Sequence, residues 1–198
     1  MKKIMMIVAL MVATLSASAQ NEVGQFSLKP MAGVNLATLT NLTDNKLRVG
    51  LAAGVEAEYG IAKNVELSLG ALYSMQGSKY TQGDAKLIAK VDYINIPVLL
   101  NVYLTKGLAI KAGIQPGFKA SAKLKLSEGS ASISDDLEGV KGFNLSVPFG
   151  ASYEYQGFVL DVRYNLGVTK VFKDLTGNSD KTIKNSVIMF TLGYKIPF

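Results

Sequence analysis

The chain has 198 residues, a length that suits a single domain. Hydrophobic residues make up 48% and charged residues only 18%, a balance too apolar for a disordered chain. Cysteine and histidine are absent, which excludes disulfides, thiolate or imidazole metal ligands and a Ser-His-Asp triad. We therefore expect neither a cofactor nor a metal. The net charge of +6 comes without a basic run, so we expect no nucleic-acid partner.

The first segment has the three-part layout of a secretory signal peptide. Lys2 and Lys3 precede an uncharged run over residues 4–15, and Ser16–Ala19 supplies an A-x-A cleavage site. As a helix, the run would cover about 18 Å against about 30 Å of hydrocarbon, which argues against an uncleaved anchor. We predict a cleaved signal peptide over residues 1–19 and one barrel domain over residues 20–198.

The mature chain is predicted to form eight strands, because apolar and polar residues alternate with a period of two. Helical spacing would scatter these residues around an axis instead. The eight runs cover approximately residues 26–37, 47–59, 65–76, 87–104, 108–124, 143–155, 158–168 and 183–198. Most of them reach the 9–11 residues that a tilted strand needs to cross a bilayer. Pro97, Pro116 and Pro148 lie inside runs, where we expect bulges or positions near a rim.

The connections between the runs alternate in length along the chain. Long connections cover residues 38–46, 79–86, 125–139 and 172–182, whereas short ones cover residues 60–64, 105–107 and 156–157. Outer-membrane barrels have this asymmetry, with short periplasmic turns and longer external loops. We therefore predict an all-β, eight-stranded antiparallel up-and-down transmembrane β-barrel located in the outer membrane.

Alternation alone does not decide whether the apolar face points outward to lipid or inward. A soluble periplasmic lipocalin-like binder would place Leu51, Leu69, Phe149 and Leu160 inside the barrel. The polar faces, however, carry charges of both signs together with glycine and serine, as a narrow polar interior requires. The sequence thus favours an apolar face in contact with outer-membrane lipid.

The inward charges are the candidate functional residues: Arg48, Glu56, Glu58, Glu66, Asp161 and Arg163. Side chains fill an eight-stranded barrel, so we interpret this set as a structural ion-pair network. A narrow ion path or a small-ligand site is the alternative. Without histidine or a recognisable partner motif, we predict no enzymatic activity. Asp135, Asp136 and Glu138 in a long loop form either a cation site or, as we prefer, a solvated acidic loop.

The last strand places alternating apolar residues on one face and ends on an aromatic residue. These residues are Phe190, Leu192, Tyr194, Ile196 and Phe198. The pattern resembles the terminal signature that the barrel-assembly machinery reads in outer-membrane proteins. We therefore predict that machinery as a partner.

The segment from Asp92 to Leu100, DYINIPVLL, resembles the fourth strand of the PorT-type, porin-like outer-membrane β-barrel family. Further likenesses are the segments AGVN at residues 32–35 and GALY at residues 70–73, the pair Gly117-Phe118 and the aromatic C-terminus. The resemblance covers essentially all of the mature chain and implies a small barrel of the OmpX or OmpA kind. A role in protein secretion is not carried over from it.

Three functions follow as hypotheses. The first is a structural or surface-interaction barrel with a side-chain-filled interior, which leaves open an unknown protein partner at the surface or in the periplasm. The second is a small porin or narrow solute channel. The third is the soluble lipocalin-like binder.

Overall fold

The computed structural model describes residues 22–40, 45–82, 85–128, 131–137, 139–172 and 183–198. The predicted signal peptide lies outside the described residues. The strands are β1 (Phe26–Leu39), β2 (Asn45–Lys46), β3 (Arg48–Ala62), β4 (Val65–Gln82), β5 (Ala85–Asn95), β6 (Val98–Tyr103), β7 (Leu108–Glu128), β8 (Ala131–Asp136), β9 (Phe143–Tyr155), β10 (Phe158–Gly167), β11 (Asn185–Tyr194) and β12 (Ile196–Pro197).

All the pairings between strands are antiparallel, and the sheet closes on itself. Closure occurs between β1 and β11, where Met31 lies opposite Gly193 and Leu39 opposite Asn185. Eight positions around the barrel result, because β2 and β3, β5 and β6, β8 and β9, and β11 and β12 are successive segments of one position each. The predicted eight-stranded antiparallel barrel is confirmed.

The apolar residues of the alternating strands point outward. Leu51, Leu69, Phe149 and Leu160 are between 50% and 59% exposed, whereas the polar residues that alternate with them are buried. This arrangement contradicts the lipocalin-like hypothesis, which required these four side chains inside. No helix long and apolar enough to cross a membrane occurs among the described residues.

The prolines coincide with local irregularities of the sheet. Residues 96 and 97 separate β5 from β6, and the carbonyl of Pro97 accepts a hydrogen bond from the Gly70 N–H at 2.9 Å. Pro116 lies across from this break, and its carbonyl accepts from the Ile96 N–H at 2.8 Å. Near Pro148, the pairing of β7 with β9 omits residues 113 and 114. The missing proline N–H groups are thereby placed where the ladder is already interrupted.

Glycines allow the strands to come unusually close at several places in the wall. A Cβ on Gly33 would lie 1.9 Å from the carbonyl oxygen of Phe190, and one on Gly150 would lie 2.0 Å from that of Val162. Only a residue without a side chain fits such a backbone contact. These glycines therefore permit the tight bending of a small barrel.

Two predicted loops are largely strand. The segment 79–86 belongs to β4 and β5 apart from residues 83 and 84, which lie outside the described residues, and the segment 125–139 contains the end of β7 and all of β8. β7 has 21 residues, roughly ten more than a bilayer crossing requires. The parts of β4, β5, β7 and β8 beyond the membrane span form a sheet that we call the extension.

The connections sort by side, as predicted. The β3–β4, β6–β7 and β9–β10 turns lie at the end that also holds the start of β1 and the C-terminus, which we call the short-turn end. The extension lies at the opposite end, which we call the long-loop end.

Candidate functional site

A buried ion cluster fills the barrel interior towards the short-turn end, and Arg163 on β10 is its centre. Its guanidinium is fully buried and binds two carboxylates. It donates to Oδ1 and Oδ2 of Asp161 at 2.6 and 2.8 Å, and to both carboxylate oxygens of Glu56, one of them at 2.8 Å. This two-sided pairing uses the planar fork of arginine on both of its edges.

Two lysines extend the cluster across the barrel. Lys29 on β1 lies 2.9 Å from Glu56 and 2.5 Å from Glu58. Lys111 on β7 lies 2.9 Å from Asp161 and 3.8 Å from Glu58. Each carboxylate of this group therefore contacts at least two cations, which compensates for its removal from water.

Lys195, between β11 and β12, completes the cluster at the short-turn end. Its ammonium lies 2.9 Å from Glu66 and 3.1 Å from the hydroxyl oxygen of Tyr103. It also lies 3.5 Å from Glu58 and 3.6 Å from Glu154. Its contacts join strands that are distant in sequence, because β4, β6 and β9 each contribute one of its partners.

The structure brings five of the six predicted charges into this cluster. Arg48 lies apart, towards the long-loop end, where it donates to the carbonyl of Gln76 and lies 3.3 Å from Asp92. The predicted network omitted four members of the cluster: Lys29, Lys111, Glu154 and Lys195. The alternation of the sequence nevertheless placed Lys111, Glu154 and Lys195 on polar faces. The signal for Lys29 was present, since it alternates with the outward residues Leu28 and Pro30 in the less regular first strand.

An apolar plug occupies the opposite end of the interior. It consists of the buried side chains of Leu39, Val91, Tyr93, Val140 and Val171, with Leu137, Phe172 and Ile183 packed against them. Residues 139–142 and 168–172 carry part of the plug between strands, and a bridge between Val140 and Phe172 joins the two segments. Connecting segments thus fold into the mouth of the barrel.

Amide and hydroxyl side chains lie between the ion cluster and the plug. Asn35 donates to the Ser74 hydroxyl at 2.9 Å, and Gln76 donates to the same hydroxyl at 2.9 Å. Met31, Ala52, Leu72 and Met189 form a small apolar group at this level. Side chains therefore occupy the interior at each of the three levels that the described residues define.

The buried charges balance one another closely. Among the described residues, the buried cations are Lys29, Lys111, Arg163 and Lys195, and the buried carboxylates are Glu56, Glu58, Glu66, Glu154 and Asp161. The part of the chain that the structure describes contains no group of three or more residues suited to hold a metal ion. The carboxylates of Glu56, Glu58, Glu66 and Asp161 each face a lysine or an arginine. The fifth carboxylate, that of Glu154, lies 3.6 Å from the Lys195 ammonium, and its oxygens accept no hydrogen bond among the described residues.

The acidic loop residues do not converge in the described part of the chain. Asp135 and Asp136 are exposed on β8, and Oδ1 of Asp135 accepts a hydrogen bond from the Asp136 N–H at 2.8 Å. Glu138 lies outside the described residues.

The C-terminal residues follow the outward face of β11 and β12. Phe190, Leu192 and Phe198 are exposed, and Tyr194 is partly exposed. Ile196 lies opposite Leu28 in the pairing of β12 with β1 but is only 6% exposed. The ring of Phe198 packs on that of Phe26 with a centroid distance of 6.1 Å, which ties the end of the chain to the start of β1.

The solved structures that this chain resembles include small membrane barrels. The chain is similar to Ail of Yersinia pestis bound to the heparin analogue sucrose octasulfate, at 14% identity and a TM-score of 0.50, covering 88% of this chain and 99% of that one. It is also similar to Neisserial surface protein A, at 13% identity and a TM-score of 0.49, covering 90% and 98%. For OprG of Pseudomonas aeruginosa the identity is 14%, the TM-score 0.45 and the coverage 91% and 99%. At these identities the likeness shows the fold alone.

The sequence itself matches a family model. No curated protein matches the chain. The model of the outer membrane protein β-barrel domain matches residues 18–173, most of the chain. The apolar outer surface, the closed sheet and this match agree with one another: the chain belongs to the outer membrane β-barrel family and is an integral protein of the outer membrane.

Proposed function

We propose that this protein is a closed, non-enzymatic barrel whose function lies in contacts made outside the membrane rather than in transport through it. One observation supports the proposal above all: the ion cluster and the apolar plug obstruct the interior at separate levels. A solute path would have to disrupt both, and disrupting the ion cluster would leave buried charges without partners. A small porin is therefore the less favoured function.

The extension supplies a surface for such contacts. Register places one apolar residue of each of its strands in a continuous row, since Tyr80 lies opposite Leu87, Leu87 opposite Leu126, and Leu126 opposite Ile133. Ile133 is 71% exposed and Leu126 is 47% exposed. Contiguous exposed apolar side chains mark interaction surfaces in soluble parts of proteins. We infer that this row meets a protein or another surface molecule outside the cell.

We further infer three finer features that rest on the sequence. The DYINIPVLL segment supports a PorT-type barrel. Residues 1–19 are proposed as a cleaved signal peptide, with the barrel domain over residues 20–198. The outward aromatic face that ends at Phe198 is proposed as the strand that the barrel-assembly machinery recognises.

Planar-bilayer recording of the purified, refolded protein tests the closed interior. We expect no reproducible conductance steps, because neither the ion cluster nor the plug leaves a path. Incorporation is verified by the heat-dependent shift of the folded band on SDS gels. Reproducible steps that disappear on the substitution Arg163→Met would refute the proposal in favour of a channel.

Cysteine labelling on intact cells tests the orientation. The chain has no cysteine, so a single introduced thiol is an unambiguous reporter. We expect a membrane-impermeant maleimide to label Ile133→Cys in the extension. It should label Lys63→Cys in the β3–β4 turn only after the outer membrane is permeabilised. The reverse pattern would place the extension in the periplasm and refute a role at the cell surface.

A further inference from the structure

The outward side of the extension, together with the adjoining β2, carries a cluster of lysines, which we call the basic face. In the barrel wall, Tyr73 on β4 and Ile94 on β5 point outward, and alternation carries this face on to Lys79 and Lys90. Cross-strand partners share a face. Lys46 is the partner of Lys79, Lys123 is the partner of Lys90, and Lys125 is the partner of Ile88. The basic face therefore comprises Lys46, Lys79, Lys90, Lys123 and Lys125.

Two of these lysines are placed against each other in a way that is unfavourable without an anion. Lys90 and Lys123 lie directly opposite in the pairing of β5 with β7, where Cβ atoms are about 5 Å apart and like charges destabilise a sheet. On β4, the cross-strand partner of Lys90 is Gly77, which has no side chain to pack beside the lysine. An arrangement that violates a pairing rule in this way is expected at functional positions.

Few carboxylates are available to neutralise this face. Asp92, two residues from Lys90, is occupied by the Tyr73 hydroxyl at 2.9 Å and by Arg48 at 3.3 Å. Asp136 is the partner of Lys123 at the margin of the sheet. Among the described residues, no ion pair within 4.0 Å is found for Lys79, Lys90, Lys123 or Lys125. The basic face thus keeps a clear excess of positive charge.

The basic face continues directly from the lipid-facing belt. Lys79 follows the outward Met75 by four residues, and Lys90 precedes the outward Ile94 by four, which corresponds to about 13 Å along a strand. At a strand tilt of about 40°, this places the lysines roughly 10 Å beyond the last apolar side chains. Headgroups occupy that level, and long lysine side chains reach it from either side.

We propose that the basic face binds the phosphate groups of an anionic lipid in the outer leaflet. This inference rests on the orientation given under Proposed function, with the extension outside the cell. Several lysines converge on one surface, which suits a headgroup that carries more than one phosphate. Continuity with the apolar belt favours a lipid over a soluble polyanion, because acyl chains can pack on residues such as Met75 and Phe118 while the headgroup meets the lysines.

The chain contains no tryptophan, which permits a direct binding assay. Ile88 lies on the basic face between Lys79 and Lys125 in register, so Ile88→Trp places a single fluorophore at the site. The refolded protein is titrated in detergent micelles with diphosphorylated lipid A, followed by the shift of tryptophan emission. Parallel titrations use phosphatidylcholine as the neutral lipid and inositol hexakisphosphate as the soluble polyanion.

The test compares two double variants with the same change of charge. We expect Lys90→Gln/Lys123→Gln to weaken lipid A binding about thirtyfold, from about 1 kcal/mol for each lysine near an anionic headgroup, and to flatten its salt dependence. Lys63→Gln/Lys106→Gln, exposed at the short-turn end, should leave the affinity unchanged. Lys90→Arg/Lys123→Arg should retain binding, and the heat shift on SDS gels verifies that each variant is folded.

Three outcomes would overturn the inference. Equal weakening of lipid A binding by both glutamine double variants would show that the affinity depends only on the net charge of the protein. Unchanged binding by Lys90→Gln/Lys123→Gln would exclude the basic face. Binding of inositol hexakisphosphate as tight as that of lipid A would make the ligand a soluble polyanion instead. The Ile133→Cys labelling is independent of these titrations, so a wrong orientation is distinguishable from a wrong ligand.

Discussion

Removing the Arg163 guanidinium is the most direct test of the ion cluster. The substitution Arg163→Met keeps an unbranched side chain of similar length but removes four hydrogen bonds, two to Glu56 and two to Asp161. Glu56 would retain Lys29 at 2.9 Å, and Asp161 would retain Lys111 at 2.9 Å. The variant therefore leaves two buried carboxylates, each with one cation instead of two.

Breaking a buried ion pair costs about 3–5 kcal/mol, because the remaining charge stays in a region of low dielectric constant. Since both carboxylates keep one lysine, we expect the loss for Arg163→Met to match one broken pair rather than two. Glu56→Met/Arg163→Met removes one charge of each sign and leaves the contact between Asp161 and Lys111 intact. This double variant should be less destabilised than the sum of the two single variants, by about 1–3 kcal/mol.

Urea unfolding in lipid vesicles measures these differences through the transition midpoint at constant slope. The conservative variant Arg163→Lys keeps the charge but loses the fork geometry, so its stability should lie between those of the wild type and Arg163→Met. If Arg163→Met unfolds within about 0.5 kcal/mol of the wild type, the network does not stabilise the barrel and the reasoning fails.

The remaining predictions concern the barrel wall. Gly150→Ala should lower the free energy of unfolding by about 1–3 kcal/mol, because its Cβ would lie 2.0 Å from the Val162 carbonyl oxygen. The control Gly142→Ala, whose Cβ would meet no atom within 4 Å, should leave the free energy of unfolding unchanged in the same urea titration. Val162→Arg, on the lipid face in the middle of β10, should cost about 2–4 kcal/mol, and Gln156→Arg in the β9–β10 turn should cost nothing measurable. Deleting Phe198 should slow insertion in a pulse-chase assay of the heat-shifted band, and insertion at the wild-type rate would exclude it from the assembly signal.

The period-two runs were sufficient to predict the barrel wall, because lipid on one side and a packed interior on the other impose opposite polarity on neighbouring residues. Leu67 and Leu69 alternate with Glu66 and Ser68, and the structure places the first pair outside and the second inside. The same alternation identified Glu56, Glu58 and Arg163 as inward charges. An alternating pattern predicts which way the side chains point when the two sides of a strand differ strongly in polarity.

The extension was missed for the opposite reason. Beyond the bilayer core, neither face meets hydrocarbon. The alternation of Leu124 and Leu126 with Lys123 and Lys125 is therefore diluted by serine and aspartate and resembles a loop. Pairing with β5 nevertheless keeps this segment extended. Composition alone therefore fails to predict a strand that is held in place by backbone pairing with a neighbouring strand.

The basic face could not be recognised from the sequence, because its lysines are separated along the chain. Lys79, Lys90 and Lys123 become neighbours only through the registers of β4, β5 and β7. The same holds for Lys195 and Glu66, whose contact joins the last residues of the barrel to β4. Register between distant strands is information that a single sequence does not display.

The position of Lys195 has a consequence for how the barrel completes itself. Its partners Glu58, Glu66 and Glu154 sit on strands that are synthesised earlier, and β12 joins β1 only when the wall closes. Until then the three carboxylates near the short-turn end lack the Lys195 ammonium. A slip of one residue along the β1–β11 seam would turn Lys29 or Lys195 towards lipid. The ion cluster thereby favours the correct register of the seam, because only that register brings both lysines to their carboxylates.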